Sequence, residues 1–369
     1  MKVWRVGTRR MAVLLIHGGA GGDGPWGGPT ELDPQRLASI RSVLEEMGGR
    51  LQSGDLDALE AVTRAVEMLE DEPLFNAGRG SVLAADGGVT MDASIMRGSD
   101  GAAGSVIDVR RIRHPIRAAR ELLEGGWPVM LNGDAADSFA IGHGVEEVTQ
   151  DWLRTALRTA QLRKWRAGRG RPGSTDEDDG AMLDHDAGES RQHGEGDEAG
   201  GTADDRTGAD DDLTDRVSIE FSDEGFEEPE AFGTVGAVAL DESGGLAAAT
   251  STGGMTGKPA GRIGDAPIIG AGTWADPRAA VSCTGVGEAF IRTVAAHRMA
   301  VLFELTGDGL DACATRVLDE VRPLGGRGGL IAVTADGRWT LPFQTTLMYR
   351  GVWATGEMSM GIGPDMQHG

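Results

Sequence analysis

The chain has 369 residues, 58 acidic against 35 basic, a formal net charge of −23, 59 glycines and only 5% aromatics. That length holds one large or two moderate domains with a sizeable core. The acid excess argues against a phosphate backbone as partner, and no apolar run reaches membrane-spanning length, so neither nucleic acid nor membrane binding is expected.

In chain order, no signal-peptide pattern opens the sequence, and a cytoplasmic protein is the expectation. Met11 to Ile16 reads as a buried strand, with His17-Gly18-Gly19-Ala20-Gly21-Gly22 as a tight glycine loop after it. The glycines are not spaced G-x-G-x-x-G and no acidic residue closes a βαβ unit, so a nucleotide site is not expected; a structural turn stays open for each glycine. Asp33 to Leu51 and Asp55 to Leu69 read as amphipathic helices, the second with Leu59, Val62, Val66 and Leu69 at core spacing. Leu69 to Ser81 is then a helix end and a turn. Pro115 starts a helix that runs to Leu123, Val129 to Leu131 is a short strand, and Asp134 to Ile141 a further helix. Glu146 to Trp165 reads as one helix, with Arg154, Arg158, Arg163 and Lys164 on its solvated faces.

Ala167 to Glu230 is low in complexity and rich in Gly, Asp and Glu, so disorder is expected. Between Ser174 and Gly233 lie 22 of the acids and three of the arginines, a net −19 that leaves only about −4 for the rest of the chain. His185 and His193 lie in this stretch without zinc-type spacing, and no metal site is expected there. Order resumes at Thr234, where Val235 to Leu240 is a small apolar run that fits a strand buried on both faces. Asp241 to Gly245 reads as a turn and Leu246 to Thr250 as the return strand. A threonine at this junction has two readings. It either starts a strand, as threonines often do, or becomes an amino-terminal nucleophile after cleavage at Gly233–Thr234, its own freed α-amine serving as base. Ala289 to Leu305 is read as a helix with His297 on its surface. Leu330 to Val333 and Trp339 to Pro342 form a hairpin about Asp336-Gly337. Cys283 and Cys313 show neither metal-ligand spacing nor a disulfide framework.

Several motifs together decide between the two readings of Thr234. Gly233-Thr234-Val235-Gly236-Ala237-Val238-Ala239-Leu240-Asp241, Ala248-Ala249-Thr250-Ser251-Thr252-Gly253-Gly254-Met255-Thr256-Gly257-Lys258, Gly261-Arg262-Ile263-Gly264-Asp265 and Ser282-Cys283-Thr284-Gly285-Val286-Gly287-Glu288 follow one another in order. Together with His17-Gly18-Gly19-Ala20-Gly21 they closely resemble the plant-type asparaginase and isoaspartyl peptidase family, over nearly the whole chain outside the acidic stretch. Met91-Asp92-Ala93-Ser94-Ile95-Met96 resembles the family's next strand. Arg97, Gln344 and Leu347 depart from the family pattern, the last two within Phe343 to Arg350.

The resemblance implies a precursor that cleaves itself between Gly233 and Thr234 and then hydrolyses β-aspartyl dipeptides and L-asparagine. It makes Thr234 the nucleophile, Thr252 its polarising neighbour, and Thr284 with the Gly285 amide the oxyanion hole. Arg262 and Asp265 would hold the substrate's α-carboxylate and α-amine, a match of charge and fork geometry; a surface ion pair is the other reading of that pair. Asn76 would lie beside the substrate and Gly19 would let it approach the backbone. No cofactor is implied for catalysis. A structural sodium ion is implied on the carbonyls of Leu69, Glu70, Glu72, Phe75, Ala77 and Arg79. The fold implied is a four-layer α/β/β/α sandwich formed from residues 1–166 and 234–369, with 167–233 as the acidic segment ending at the cleavage site. The two fragments would form a heterodimer, and two heterodimers a dimer. Two alternatives are a glycosylasparaginase-like amidase and an unprocessed, idle scaffold whose acidic segment serves an interaction.

Overall fold

The computed structural model of the chain describes residues 11–21, 33–169 and 233–368. The acidic stretch, with His185 and His193, lies outside them. The first strands are β1 (Val13–Gly21), β2 (Met91–Arg97), β3 (Ala103–Val109), β4 (Met130–Asn132), β5 (Val235–Leu240) and β6 (Leu246–Thr252). There follow β7 (Thr273–Ala275), β8 (Ala279–Gly285), β9 (Gly328–Thr334), β10 (Trp339–Thr340), β11 (Leu347–Ala354), β12 (Glu357–Gly361) and β13 (Gln367–His368). They make a nine-stranded sheet in the order β13-β12-β11-β1-β5-β6-β2-β3-β4 and a four-stranded sheet in the order β10-β9-β8-β7.

Strand periodicity explains the core. Along β5 and β6, Ala237, Ala239, Ala247 and Ala249 point to one face, where they pack with helical Leu59, Val62 and Val66. Val238, Leu240, Leu246 and Ala248 point the other way and meet Ala280, Ile331 and Val333 of the small sheet. Both strands are buried along their whole length, as a strand covered on both faces must be. A third cluster joins the outer face of the small sheet, through Val281, Cys283, Leu330 and Ala332, to Phe290, Met299, Val317 and Leu318. Cys283 and Cys313 are buried free thiols.

The helices on the large sheet include α1 (Asp33–Val43), α2 (Gly49–Ser53), α3 (Ala58–Asp71) and α4 (Pro115–Gly125). Asp57 caps α3 by accepting the Glu60 amide at 2.7 Å, and each fully buried Leu or Val on this helix contributes about 1.5–3 kcal/mol. At the tip of the β5–β6 hairpin, the Asp241 carboxylate accepts the amides of Ser243 and Gly245 and also that of Ala58 at the start of α3. The hairpin and the helix are thereby locked in one register. Beyond α5 (Gly133–Gly142) come α6 (Gln150–Leu153) and α7 (Ala156–Arg169); α8 (Gly287–Thr293), α9 (Ala295–Thr306) and α10 (Leu310–Val321) cover the small sheet.

Four sequence expectations are corrected. His17 to Gly21 is not a loop but the end of β1, with a shift of register against β11 between His17 and Gly19. The helix expected over Asp33 to Leu51 passes through a π-helical turn at Leu44–Gly48. The helix expected over 146–165 breaks at Arg154, which is extended, because the Thr155 hydroxyl caps a new start by accepting the Arg158 amide at 3.2 Å. The helix expected over 289–305 breaks at Val294, held at φ 51° between α8 and α9. Among the described residues no helix is long and apolar enough to cross a membrane.

Candidate active site

Thr234 stands directly before β5 and is 5% exposed. Val235 pairs with Ser251, so the same register carried one residue back sets Thr234 opposite Thr252 at the end of the hairpin. On the far edge of β6, Asp92 of β2 pairs with Thr252. The Thr252 hydroxyl accepts the Gly254 amide at 2.9 Å. A hydroxyl has one proton and two lone pairs, so this bond leaves the Thr252 proton available to another acceptor.

The peptide before Thr234 is packed by β1 and β8. A Cβ on Gly19 would fall 2.3 Å from the Gly233 carbonyl oxygen, and Gly19 has φ 108°, open to glycine at little cost. A Cβ on Gly233 would lie 3.1 Å from Thr284 Oγ1. The Thr284 hydroxyl in turn accepts the Ala20 amide at 3.2 Å and is fully buried. Gly19, Gly233, Thr234 and Thr284 are thus brought together from β1, β5 and β8.

Asp265 lies on the loop between β6 and β7. It is 3% exposed, and its Oδ2 has no hydrogen-bond partner. Burial pushes its carboxyl up to about 7 although nearby Arg262 pulls the other way. A buried acceptor left open is costly unless something fills it, and a cationic group would. Arg262 donates from Nε and Nη2 to the two carboxylate oxygens of Glu288, each at 2.8 Å. Burial raises the Glu288 carboxyl, but the Arg262 fork outweighs it and holds the group below the usual carboxylate range. Arg262 is therefore in an ion pair and beside Asp265 at once. The loop is pinned to the large sheet by the Ser94 hydroxyl on the Ala266 carbonyl and the Ser105 hydroxyl on the Pro267 carbonyl, both at 2.6 Å.

The sequence model of the asparaginase family matches residues 10–362. The chain belongs to the asparaginase family. It is 40% identical over 341 residues to an isoaspartyl peptidase of Salmonella typhimurium, covering 92% of this chain and 94% of that one. The Escherichia coli isoaspartyl peptidase is 38% identical over 341 residues, 92% of both chains. An isoaspartyl peptidase/L-asparaginase of Rattus norvegicus is 34% identical over 355 residues, 95% of this chain and 88% of that one.

In this asparaginase-family chain, Asn76 is fully buried and turned onto the backbone. It donates to the Gly254 carbonyl at 2.6 Å, accepts the Val82 amide at 2.9 Å, and its own carbonyl accepts the Gly253 amide at 3.1 Å. It therefore fastens the 70–81 loop to the turn that follows Thr252. The same loop suits a cation bound by carbonyls. The Phe75 carbonyl oxygen fills the space of a missing side chain, 1.9 Å from where a Gly80 Cβ would stand. The carbonyls of Glu72 and Ala77 accept the Phe75 and Gly80 amides at 3.2 and 3.0 Å, and each has a second lone pair. Oxygen ligands of this kind fit a hard cation.

Arg158, expected on a solvated face, is 1% exposed and donates into this loop, to the Gly80 carbonyl at 2.6 Å and the Leu74 carbonyl at 3.4 Å. The family departures lie elsewhere. Arg97 pairs with Asp100 at the opposite end of β2 from Asp92, Gln344 donates to Asp319, and Leu347 is buried in the helix-side core. His297 meets Trp274 edge to face, ring centroids 4.4 Å apart and planes at 64°.

Sequence reasoning gave no role to His17, Ser94, Thr250, Thr273 or Ser282, all fully buried. Buried polar groups are held by hydrogen bonds, but the partners of these side chains lie on other strands and meet only in the fold.

Proposed function

We propose that the chain is a threonine-nucleophile amidohydrolase that cuts its own Gly233–Thr234 bond and then hydrolyses β-aspartyl dipeptides and L-asparagine. What carries this reading is the placement of Thr234 opposite Thr252, with Thr284 against Gly233, in a chain of this family. In self-cleavage the Thr234 hydroxyl attacks the Gly233 carbonyl carbon, the bond to the Thr234 nitrogen breaks, and the hydroxyl proton passes to that nitrogen. That shift frees an α-amine with a pKa near 8, able to act as base close to neutral pH, and water then hydrolyses the ester, returning the Thr234 hydroxyl and leaving Gly233 as a carboxylate.

In turnover the α-amine takes the Thr234 hydroxyl proton while the oxygen attacks the side-chain carbonyl of the aspartyl group. Thr252 donates toward the nucleophile, and the Thr284 hydroxyl with the Gly285 amide meets the oxyanion. The proton passes to the departing amine, which is ammonia or the next residue's amino group. Water then cleaves the acyl-enzyme and L-aspartate leaves. Asp265 accepts the substrate ammonium at its open oxygen. Two of Arg262's five N–H groups are held by Glu288, and the remainder serve the α-carboxylate.

This reading makes 1–166 and 234–369 two parts of one domain, layered α/β/β/α, with 167–233 ending at the cut. The carbonyls of Leu69, Glu70, Glu72, Phe75, Ala77 and Arg79 would hold sodium, which stiffens the loop carrying Asn76 and takes no part in the chemistry. The processed halves would form a heterodimer and pair with a second copy, in the cytoplasm.

Intact mass after incubation, for the parent and Thr234→Ala, tests the proposal. Two fragments meeting at Gly233–Thr234 in the parent alone, with release of aspartate from a β-aspartyl dipeptide, are expected. A parent that stays uncut and inert across pH and salt would leave the idle-scaffold reading in its place.

A further inference from the structure

A line of buried side chains runs from the nucleophile through the space between the two sheets. His17 Nδ1 lies 2.9 Å from the Thr234 carbonyl oxygen and its Nε2 2.9 Å from Ser282 Oγ. Ser282 Oγ lies 2.8 Å from Thr250 Oγ1, and Thr250 Oγ1 bonds Thr273 Oγ1. Ser94 Oγ is 2.8 Å from Thr273 Oγ1 and 2.6 Å from the carbonyl of Ala266, the residue after Asp265. All five side chains are fully buried.

The protons on this line can be placed by counting. A carbonyl only accepts, so His17 Nδ1 carries the proton facing Thr234. Burial holds the imidazole at about 3, against a weaker opposing pull from that same bond, so the ring is neutral and Nε2 is a lone pair. Ser282 must then donate to Nε2. Its one proton spent, Ser282 accepts from Thr250, and Thr250 accepts from Thr273. The shorter bonds thus align toward the nucleophile's carbonyl, with the Thr250 hydroxyl also facing the Gly272 carbonyl at 3.2 Å and the Thr273 hydroxyl the Ala266 carbonyl at 3.4 Å. Hydrogen bonds aligned in series strengthen one another. Ser94 closes the far end, its proton facing both Thr273 and Ala266.

The sequence around this line keeps it open. Gly236, in the Gly-Thr-Val-Gly motif, lies directly against it: a Cβ there would fall 2.1 Å from Ser282 Oγ and 2.4 Å from His17 Nε2. The pairing of β1 with β5 ends at His17–Gly236, so the Thr234 carbonyl lies past the end of that ladder and takes the imidazole as its donor.

We propose that His17, Ser282, Thr250, Thr273 and Ser94 form a positioning relay, fixing the Thr234 peptide plane against the loop that carries Asp265. The inference rests on the reading of Thr234 as nucleophile. Before the cut, Thr234 is held on both sides by the chain, its Gly233 side packed against Gly19 and Thr284. After the cut the amino side is released, and the carbonyl bond to His17 becomes a main-chain restraint on the residue that carries the attacking oxygen. The relay should therefore matter more to turnover than to maturation, and more to kcat than to KM.

The test uses the processed full-length protein and a β-aspartyl dipeptide, with His17→Asn, His17→Gln and Ser282→Ala. An asparagine amide reaches the position of Nδ1 and a glutamine amide that of Nε2, so the pair separates the two ends of the ring. His17→Gln is expected to mature, to keep KM within threefold and to lose kcat ten- to a hundredfold. His17→Asn should recover most of that loss, and Ser282→Ala should fall between them. A fully processed His17→Gln with kcat within twofold of the parent, or equal losses in the Asn and Gln variants, would overturn the relay; if His17→Gln fails to fold, Ser282→Ala with unchanged kcat does the same. A parent that neither cuts nor hydrolyses the dipeptide would instead defeat the nucleophile reading, before any variant is compared.

Discussion

Gly19 and Gly233 lie in contact: a single added carbon on Gly19 would stand 2.3 Å from the Gly233 carbonyl oxygen and 2.7 Å from its nitrogen. The end of β1 is therefore shaped to the Gly233 peptide, where the cut is proposed. The shift of register after His17 is what brings Gly19 there, at a positive φ that a side chain would resist.

Gly19→Ala is accordingly expected to slow self-cleavage at least tenfold. The strained φ alone costs on the order of 1–3 kcal/mol, and the backbone atoms of Gly233 have to move as well. Fragment appearance on a denaturing gel, timed from purification, measures it. Cleavage at the parent's rate would show that Gly233 is not packed as described.

The second prediction concerns pH. Asp265 has its carboxyl at about 7, above the ordinary unfolded value near 3.9, with burial as the first cause. Between those values the folded chain holds a proton that the unfolded chain has lost. Stability from this group therefore declines as pH rises through that window and is level above it. Ligand binding runs the opposite way, because a substrate ammonium needs the ionised form. Affinity for L-aspartate should rise about tenfold per pH unit up to about 7 and then flatten. Calorimetric titrations from pH 5.5 to 8.5 measure this; Asp265→Asn should bind more weakly with no slope, and a flat parent profile would count against the assignment.

Much of this was legible in the chain. The small residues of β5 announced a strand covered on both faces, and the Asp241 turn was visible as composition. The order of the glycine- and threonine-rich motifs pointed to Thr234, Thr252, Thr284 and Asp265, and the fold sets the register of Thr234 opposite Thr252 and packs Thr284 against Gly233. What was not legible arises from three-dimensional convergence. Arg158 sits in a basic helix and reads as surface, because nothing local says that the carbonyls of Leu74 and Gly80, more than seventy residues earlier, fold beneath it. Val294 interrupts a helix whose apolar pattern continues through it. The two partners of the His17 ring lie 217 and 265 residues away, so its role has no local signature.

Arg158 yields the third prediction. Its guanidinium serves two carbonyls of the 70–81 loop from a fully buried position. Arg158→Leu keeps bulk but leaves those acceptors without this donor, at a cost of about 1–3 kcal/mol. Urea unfolding should show a lower midpoint with an unchanged slope. Because the loop also fastens Gly253 and Gly254 through Asn76, the KM for a β-aspartyl dipeptide should rise with it. A variant as stable as the parent would return Arg158 to the solvated face.

The last prediction tests the carbonyl loop for a cation. An ion that binds the folded loop and not the unfolded chain stabilises by mass action, so the melting temperature should be higher in sodium than in tetramethylammonium chloride of equal ionic strength. Gly80→Ala places a carbon 1.9 Å from the Phe75 carbonyl oxygen, and that carbonyl must turn away. The substitution should cost about 1–3 kcal/mol from overpacking and also abolish the difference between the two salts. The second effect is the informative one, since overpacking elsewhere would lower stability equally in both. If the parent melts at one temperature in both salts, the loop holds no such ion, and side-chain and main-chain hydrogen bonds such as those of Arg158 and Asn76 hold it instead.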